Sequence, residues 1–386
     1  MMQGDADDAA FPDDVMHEIL RCGVLDSGTL ARCCLLAHRY LATARKWLYC
    51  EVEMGVVESR IGGFIDGDDE WQEVLEYSCR TADMIASIRR NPALAQLIRH
   101  AFFTREGHPS GLRTRGADAV ATILVLAPRI DTLEFSDLRV DEWLEEALLQ
   151  LDYDLSPRLL EVYFGTMTER TSEFVSNLPN LRQLGIKEVE SHVEGVQLST
   201  TCLESLSILS DTDLSTFSLP HFVAPSASTL RNLRVHLYHL EKIDLRAYPG
   251  LKRVELCLIQ RLDRGSRTPP AFRRQSFNER FRGCENLTTI AFRAIGVDRR
   301  QSAPELRPDI LGKYGGIAGF GSNGLSQLRR VEFTHDFSIR ELHMIVDPGG
   351  RPVAKLAINR TSAYNLDLGL VRTMCENAGV DLIFLD

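Results

Sequence analysis

The chain has 386 residues, 44% of them apolar and 25% charged, with a net charge of −10. That is the composition of an ordinary folded protein with ample length for a core plus a second domain or a repeat array. The acidic balance argues against general nucleic-acid binding, which calls for a basic footprint, and no apolar run approaches the roughly 18 residues of a membrane span.

Residues 1–10, MMQGDADDAA, lack the basic and apolar segments of a secretory signal and are expected to form a disordered leader. From residue 11 the pattern predicts three short helices ending near residue 53. Pro12 with Asp13 and Asp14 is a helix start, since proline fits the first turn and carboxylates there complement the helix dipole. Val15, Ile19 and Leu20 form an apolar stripe that Gly23 ends. Asp26 or Ser27 can cap a second helix containing Leu30, Cys33 and Leu36, and Tyr40, Leu41, Ala44, Trp47 and Leu48 recur at helical spacing in a third. Helices this short bury too little surface to be stable alone, so their surplus apolar residues call for a partner.

Phe11-Pro12, Ile19-Leu20, Leu30 and the run Arg32-Cys33-Cys34-Leu35-Leu36-Ala37-His38-Arg39-Tyr40 resemble the F-box, as does the continuation in which Leu48-Tyr49 leads toward a short strand. Phe11, Leu36, Ala37 and Tyr40 stand where that family has leucine, valine, cysteine and tryptophan. The resemblance implies that Phe11, Pro12, Ile19, Leu20, Leu30, Leu36 and Tyr40 contact a Skp-type adaptor and through it a cullin ubiquitin ligase. The other reading of the block is a helical cap on whatever follows.

Residues 54–92 are expected to form a helical connector. An acidic turn around Asp66-Gly67-Asp68-Asp69 precedes Trp71, Val74, Leu75, Cys79, Ala82, Ile85 and Ile88 at helical spacing. Beyond it, a six-residue frame of three apolar positions recurs: Ile130-Leu133-Phe135, Leu159-Val162-Phe164, Leu181-Leu184-Ile186, Leu203-Leu206-Ile208, Leu230-Leu233-Val235, Leu251-Val254-Leu256, Leu287-Ile290-Phe292, Leu328-Val331-Phe333 and Val353-Leu356-Ile358. Ile98-Ala101-Phe103 is a degenerate first copy. Successive frames from residue 130 start 21 to 41 residues apart, which resembles the leucine-rich repeat with irregular lengths. Each frame predicts a short strand whose second and third apolar residues point inward, with helical runs at 117–126, 142–151 and 366–377 on the convex side and a closing strand at 380–385. The expected fold is therefore α/β: a three-helix F-box-like block over residues 11–53, then an irregular leucine-rich-repeat solenoid, a horseshoe, over residues 93–386.

Alternate strand positions should face outward. In the early repeats these are Thr132, Glu134, Ser136, Glu161, Tyr163 and Gly165, and in the later ones Arg234, His236, Arg253, Arg293 and Arg330, with Glu255 and Glu332 between them. Arginine forks grip carboxylates and phosphates in pairs, so the later face is a candidate for an acidic or phosphorylated target protein; the alternative is a solvated mixed-charge surface. The insertion at 259–283, rich in arginine with Phe272, Phe277 and Phe281, reads either as a clamp over the array's edge or as a basic loop anchored in the core by its aromatics. The glycine-rich stretch at 312–324 lacks the phosphate-loop spacing.

Nine scattered cysteines without a paired motif are expected to be reduced thiols in a cytoplasmic or nuclear protein, with Cys202, Cys257 and Cys284 acting as small hydrophobes. Cys33 and Cys34 beside His38 match packing positions of the helical block. The histidines lack metal-ligand spacing and no hydrolase motif occurs, so no catalytic residue, metal or cofactor is expected.

Overall fold

A computed structural model describes residues 29, 31–32, 38–62, 71–77, 79–105, 114–115, 123–135, 148, 158–190, 193, 195–209, 218–236, 239–240, 243–259, 281, 284–295, 328–333, 355–359 and 368–385. The chain divides into two compact units, Met1–Tyr163 and Phe164–Asp386. Both are mixed α/β with mainly parallel strands and few helices among the described residues.

In the first unit, helix α1 (His38–Cys50) runs directly into strand β1 (Glu51–Gly62). β1 pairs antiparallel with β2 (Trp71–Tyr77), Gly62 opposite Trp71, and parallel with β3 (His100–Arg105), Val52 opposite Ala101. β3 continues in parallel to β5 (Thr132–Phe135), while β4 (Thr114–Arg115) adds to the outer edge of β2. The segment from Trp71 to Tyr77 is thus a strand, not the start of a helix. Its aromatic and branched residues suit a pleated sheet, and β1 supplies the hydrogen-bonding edge that the helical spacing did not reveal.

The helix that does form, α2 (Cys79–Arg90), begins after β2 and buries Ile85 and Ile88. Arg89 and Arg90 complement the dipole of its last turn. Asn91 then precedes Pro92, which opens the short α3 (Pro92–Ala95), and a residue before proline is disfavoured in helix. Val52, Met54, Ala101, Phe103, Leu133 and Phe135 form the core under this sheet, with the Phe103 and Phe135 rings stacked 4.7 Å apart.

β6 (Glu161–Met167) spans the division between the units. In the second unit its Phe164 ring meets Phe174 edge-on, 6.4 Å away, on helix α4 (Glu169–Ser176). A reciprocal cap starts that helix: Thr168 Oγ1 accepts from Thr171 N at 3.2 Å and Thr168 N donates to Thr171 Oγ1 at 2.7 Å.

There follow β7 (Gln183–Val189), β8 (Ser205–Ile208), β9 (Asn232–His236), β10 (Arg253–Ile259), β11 (Thr289–Ile295), β12 (Arg330–Phe333), β13 (Lys355–Asn359) and β14 (Asp381–Leu385). From β8 onward each pairs in parallel with its predecessor. The middle residues of the frames from β7 to β13 fall on one rung, Leu184, Leu206, Leu233, Val254, Ile290, Val331 and Leu356, and Leu382 of β14 continues it. A one-residue slip would turn each strand's apolar set outward, so the frame itself fixes the register. All the frames, including Ile98-Ala101-Phe103, lie on strands or directly before them, with the exception that Val353 lies outside the described residues.

The turns entering the strands carry polar groups that bond one repeat to the next, buried at Thr200 and Ser226 and exposed at Asn286. Thr200 Oγ1 donates to Leu181 O at 3.0 Å, Ser226 Oγ to Thr200 O at 2.6 Å and Asn286 Nδ2 to Pro249 O at 2.8 Å. Gly250 sits so close that a Cβ there would lie 2.5 Å from Ser228 O.

The described helices between the strands are few and short. Between β7 and β10 the described connections hold only the four-residue α5 (Leu219–Phe222) and the 3₁₀ turns Ala224–Ser226 and Leu245–Ala247. Frames 21 to 27 residues apart leave little chain for a full helix once strand and turns are formed. The last helix is α6 (Leu368–Ala378), ended by Gly379 at φ 67° with Val380 N donating to Cys375 O at 2.8 Å. The 117–126 run is described only at 123–126, which is helical, and the 142–151 run only at residue 148.

Candidate target-binding face

Parity along each strand sorts the chemistry. Residues two apart share a face, so Arg253 and Glu255 on β10, and Arg330 and Glu332 on β12, stand side by side opposite the apolar core. The parallel register sets Arg234 of β9 beside Glu255, and Glu255 in turn beside Ala291 of β11, which neighbours Glu332. Because β11 presents only Thr289 and Ala291 at this level, side chains from β10 and β12, about 10 Å apart, meet above it.

The result is a shared ionic cluster. Arg234 Nε lies 2.9 Å from Glu255 Oε1, Arg293 Nε 3.3 Å from the same oxygen, and Arg253 Nη2 3.3 Å from Glu255 Oε2. Arg253 Nη2 also donates to Glu332 Oε2 at 2.6 Å across β11. Arg330 Nε stands 2.7 Å from Glu332 Oε1, at an angle that makes an ion pair but no hydrogen bond.

Glu255 is thus gripped by three guanidiniums and Glu332 by two. The carboxylates are nearly covered, at 12% and 7% exposed, while the arginines remain 31 to 44% exposed. Burial works against the charge of Arg253, but the hydrogen bond and charge of Glu332, then those of Glu255, more than offset it and hold Arg253 above the ordinary guanidinium range. Four cations against two anions leave a surplus of two positive charges. Adding Lys355 and Asp381, next along the Arg330 rung, does not change it.

Two expected outward residues are buried. His236 stands beside Cys257 on the rung that Arg293 also occupies, yet it is fully buried, with the His239 ring 5.9 Å away, and so offers no surface to a ligand. Gly165 is buried as well, since Phe164 and Gly165 are consecutive buried positions that break the alternation of β6.

The first unit's outward face has the opposite character. Glu51 and Glu53 of β1 are exposed, followed across the register by His100 and Phe102 of β3 and by Thr132 and Glu134 of β5, all half-buried. His100 Nε2 lies 3.7 Å from Glu134 Oε2. Tyr163 donates to Glu161 at 3.4 Å, and burial, then the nearby Glu161, push its phenol up to about 12. A cavity of about 620 Å³ opens beside this face, lined by Tyr49, Glu51, Glu53, Met84, His100 and Phe102 among others.

Of the adaptor-contact candidates, Phe11, Pro12, Ile19, Leu20, Leu30 and Leu36 lie outside the described residues, as do Cys33, Cys34, Ser136, the stretch at 312–324 and nearly all of the insertion at 259–283. Tyr40 lies within α1. In the insertion Phe281 is fully buried, an aromatic anchor into the core.

Cys50, Cys202, Cys257, Cys284 and Cys375 are free thiols. Burial pushes Cys257 up and Cys284 up to about 11, so both are neutral packing groups. Cys202, by contrast, is exposed. Among the described residues no acidic, histidine or cysteine cluster could hold a metal, and no helix is long and apolar enough to cross a membrane.

Sequence reading missed the convergence of the cluster, although its signal was present: Arg-x-Glu on two strands, with the small Ala291 at the facing position of the strand between them. It also missed Glu51 and Glu53, because the sheet was expected to begin forty residues later than it does. No protein-family model matches the chain, and no curated protein matches it either.

Proposed function

We propose that the chain is the substrate-recognition subunit of a ubiquitin ligase of the Skp, cullin and F-box type. Residues 11–53 act as the F-box, with Phe11, Pro12, Ile19, Leu20, Leu30, Leu36 and Tyr40 binding a Skp-type adaptor and through it a cullin. The strand array acts as a leucine-rich-repeat solenoid, a horseshoe whose open face holds a target protein. The chain itself supplies proximity and orientation and uses no cofactor, while other subunits carry out ubiquitin transfer. Cytoplasm or nucleus is the compartment that fits this work.

The observation that supports this reading best is the common rung from Leu184 to Leu382. A core that consumes every second residue leaves the alternate residues of each strand for recognition. It stands beside an F-box-like pattern at the other end of the chain.

A second reading is a non-ligase repeat scaffold whose helical block is a cap. It is favoured by one feature: α1 continues without a break into β1 and buries Ala44.

Co-purification with a Skp-type adaptor separates the two readings. The wild-type chain should capture the adaptor stoichiometrically, and a Pro12→Ala, Leu36→Asp double variant should lose it. A folded wild type that captures none overturns the ligase reading and leaves the scaffold.

A further inference from the structure

We infer that the four-arginine cluster on β9 to β12 is a binding site for a phosphorylated side chain of a target protein. Arg234 and Arg293 are its gripping residues, and Glu255 and Glu332 are positioning residues. The inference rests on the reading of the repeat face as the target face, and it names the chemistry of that target.

Three observations carry it. First, the arginines are arranged rather than scattered. Glu255 draws Arg234, Arg253 and Arg293 together, and Glu332 ties Arg253 to Arg330 across the small Ala291. Each guanidinium keeps about a third or more of its side-chain surface exposed. Arg234, Arg293 and Arg330 approach the carboxylates most closely through Nε, which is the inner side of the fork. Guanidiniums held in this way need little further ordering to grip an oxyanion.

Second, the charge count fits a dianion. With both carboxylates and all four guanidiniums included, the surplus is two positive charges. A phosphorylated side chain carries about −1.5 to −2 at neutral pH. A single carboxylate would only repeat what Glu255 and Glu332 already do and leave half the surplus unmatched.

Third, the surroundings extend the same sign. Arg231, Lys252 and Arg329 are exposed on the turns entering β9, β10 and β12. These turns are linked in series by backbone hydrogen bonds, Lys252 N to Arg231 O and Arg329 N to Thr288 O among them. In a chain of net charge −10, this concentration of basic residues would hold acidic residues flanking the phosphorylated one. His236 has no part in the site, being fully buried.

The test uses the full-length chain and three peptide libraries with a fixed central phosphoserine, serine or glutamate. The phosphoserine library should be retained at least about tenfold better than the serine library, the value of one charge-assisted hydrogen bond or more. Arg234→Ala with Arg293→Ala should drop retention to the serine level. Arg253 and Arg330 are left intact because Glu332 is buried against them. An Arg234→Lys, Arg293→Lys variant, folded with an unchanged thermal midpoint, keeps the charge but loses the forks, and should also lose most of the retention.

Equal retention of phosphoserine and serine libraries overturns the inference, as does a lysine variant that binds like wild type. Retention of the glutamate library at the phosphoserine level overturns the requirement for a dianion. Calorimetric binding of inorganic phosphate without any preference among the peptides makes the cluster a free-anion site and overturns the peptide assignment. None of these outcomes depends on the adaptor: peptide selectivity without adaptor capture keeps this site and removes the ligase reading, whereas the reverse does the opposite.

Discussion

The strands of the first unit and those of β9 to β12 follow the same inward pattern and differ on the outside. Inside, Ala101 and Leu133 occupy the rung position that Leu233, Val254 and Ile290 occupy later, and all are buried. Outside, the first unit presents Glu51, Glu53, His100, Phe102 and Glu134, whereas the later strands present Arg234, Arg253, Arg293 and Arg330 around two glutamates. The frame constrains only the inward positions, so the outward ones are free to vary, and they carry opposite charge in the two regions. A repeated interior pattern with divergent faces is what the proposed binding scaffold requires.

The comparison breaks most readily at the core. Leu133→Ala in the first unit and Leu233→Ala in the second remove equivalent buried side chains, and each should cost about 3 kcal/mol in urea unfolding. A clearly smaller loss at one of them would mean that the two interiors are not built alike.

Next is the ionic bridge over β11. Ala291→Leu places a branched side chain where Arg253 and Glu332 meet. It should destabilise by about 2 kcal/mol through crowding and loss of that hydrogen bond, while the same alanine-to-leucine change at an exposed site costs little. Unfolding of the variant beside wild type checks this.

Gly250→Ala should cost a similar or slightly smaller amount, about 1 to 2 kcal/mol, because the new Cβ would crowd Ser228 O, Arg231 and Leu230 O. The turn before β10 could accommodate it only by shifting the repeat.

The smallest effects are those of two tyrosines. Tyr248 is almost fully buried and its hydroxyl has no hydrogen-bond partner among the described residues, so Tyr248→Phe should be neutral or stabilising by up to about 1 kcal/mol. Tyr163 has its folded pKa raised to about 12 from an ordinary value near 10. Its protonated form is the one the fold favours, so its contribution to stability is complete below the unfolded value and is lost as pH rises from about 10 through about 12. Phenolate absorbance on alkaline titration should therefore show a late-titrating group that a Tyr163→Phe variant lacks, beside Tyr248, which burial raises further.

Much of this architecture was legible in the sequence because the inward period of the frames is also the period of the register. Leu184, Leu206 and Leu233 could be aligned by eye for the same reason that they align on one rung. The closing helix and strand were legible too, since Gly379 marks the helix end. The hairpin of β1 and β2 was not. Trp71, Val74 and Leu75 fit a helical spacing as well as a strand, and only the edge offered by β1 decides between them. His236 was misread because parity along β9 shows which side a residue lies on and not whether it is covered: it is fully buried, with the His239 ring 5.9 Å away. The arginine cluster was half legible. The residues stood at outward positions, but their convergence on Glu255 depends on which strand lies beside which.

The most direct test of the account is a bridging experiment on beads coated with the phosphoserine library. The account predicts that a Skp-type adaptor is retained only when the wild-type chain is added. The Pro12→Ala, Leu36→Asp variant should itself remain on the beads but leave the adaptor behind, and the Arg234→Ala, Arg293→Ala variant should lose both. Beads that hold the wild-type chain yet never retain the adaptor would contradict the claim that this one molecule joins a target to a ligase.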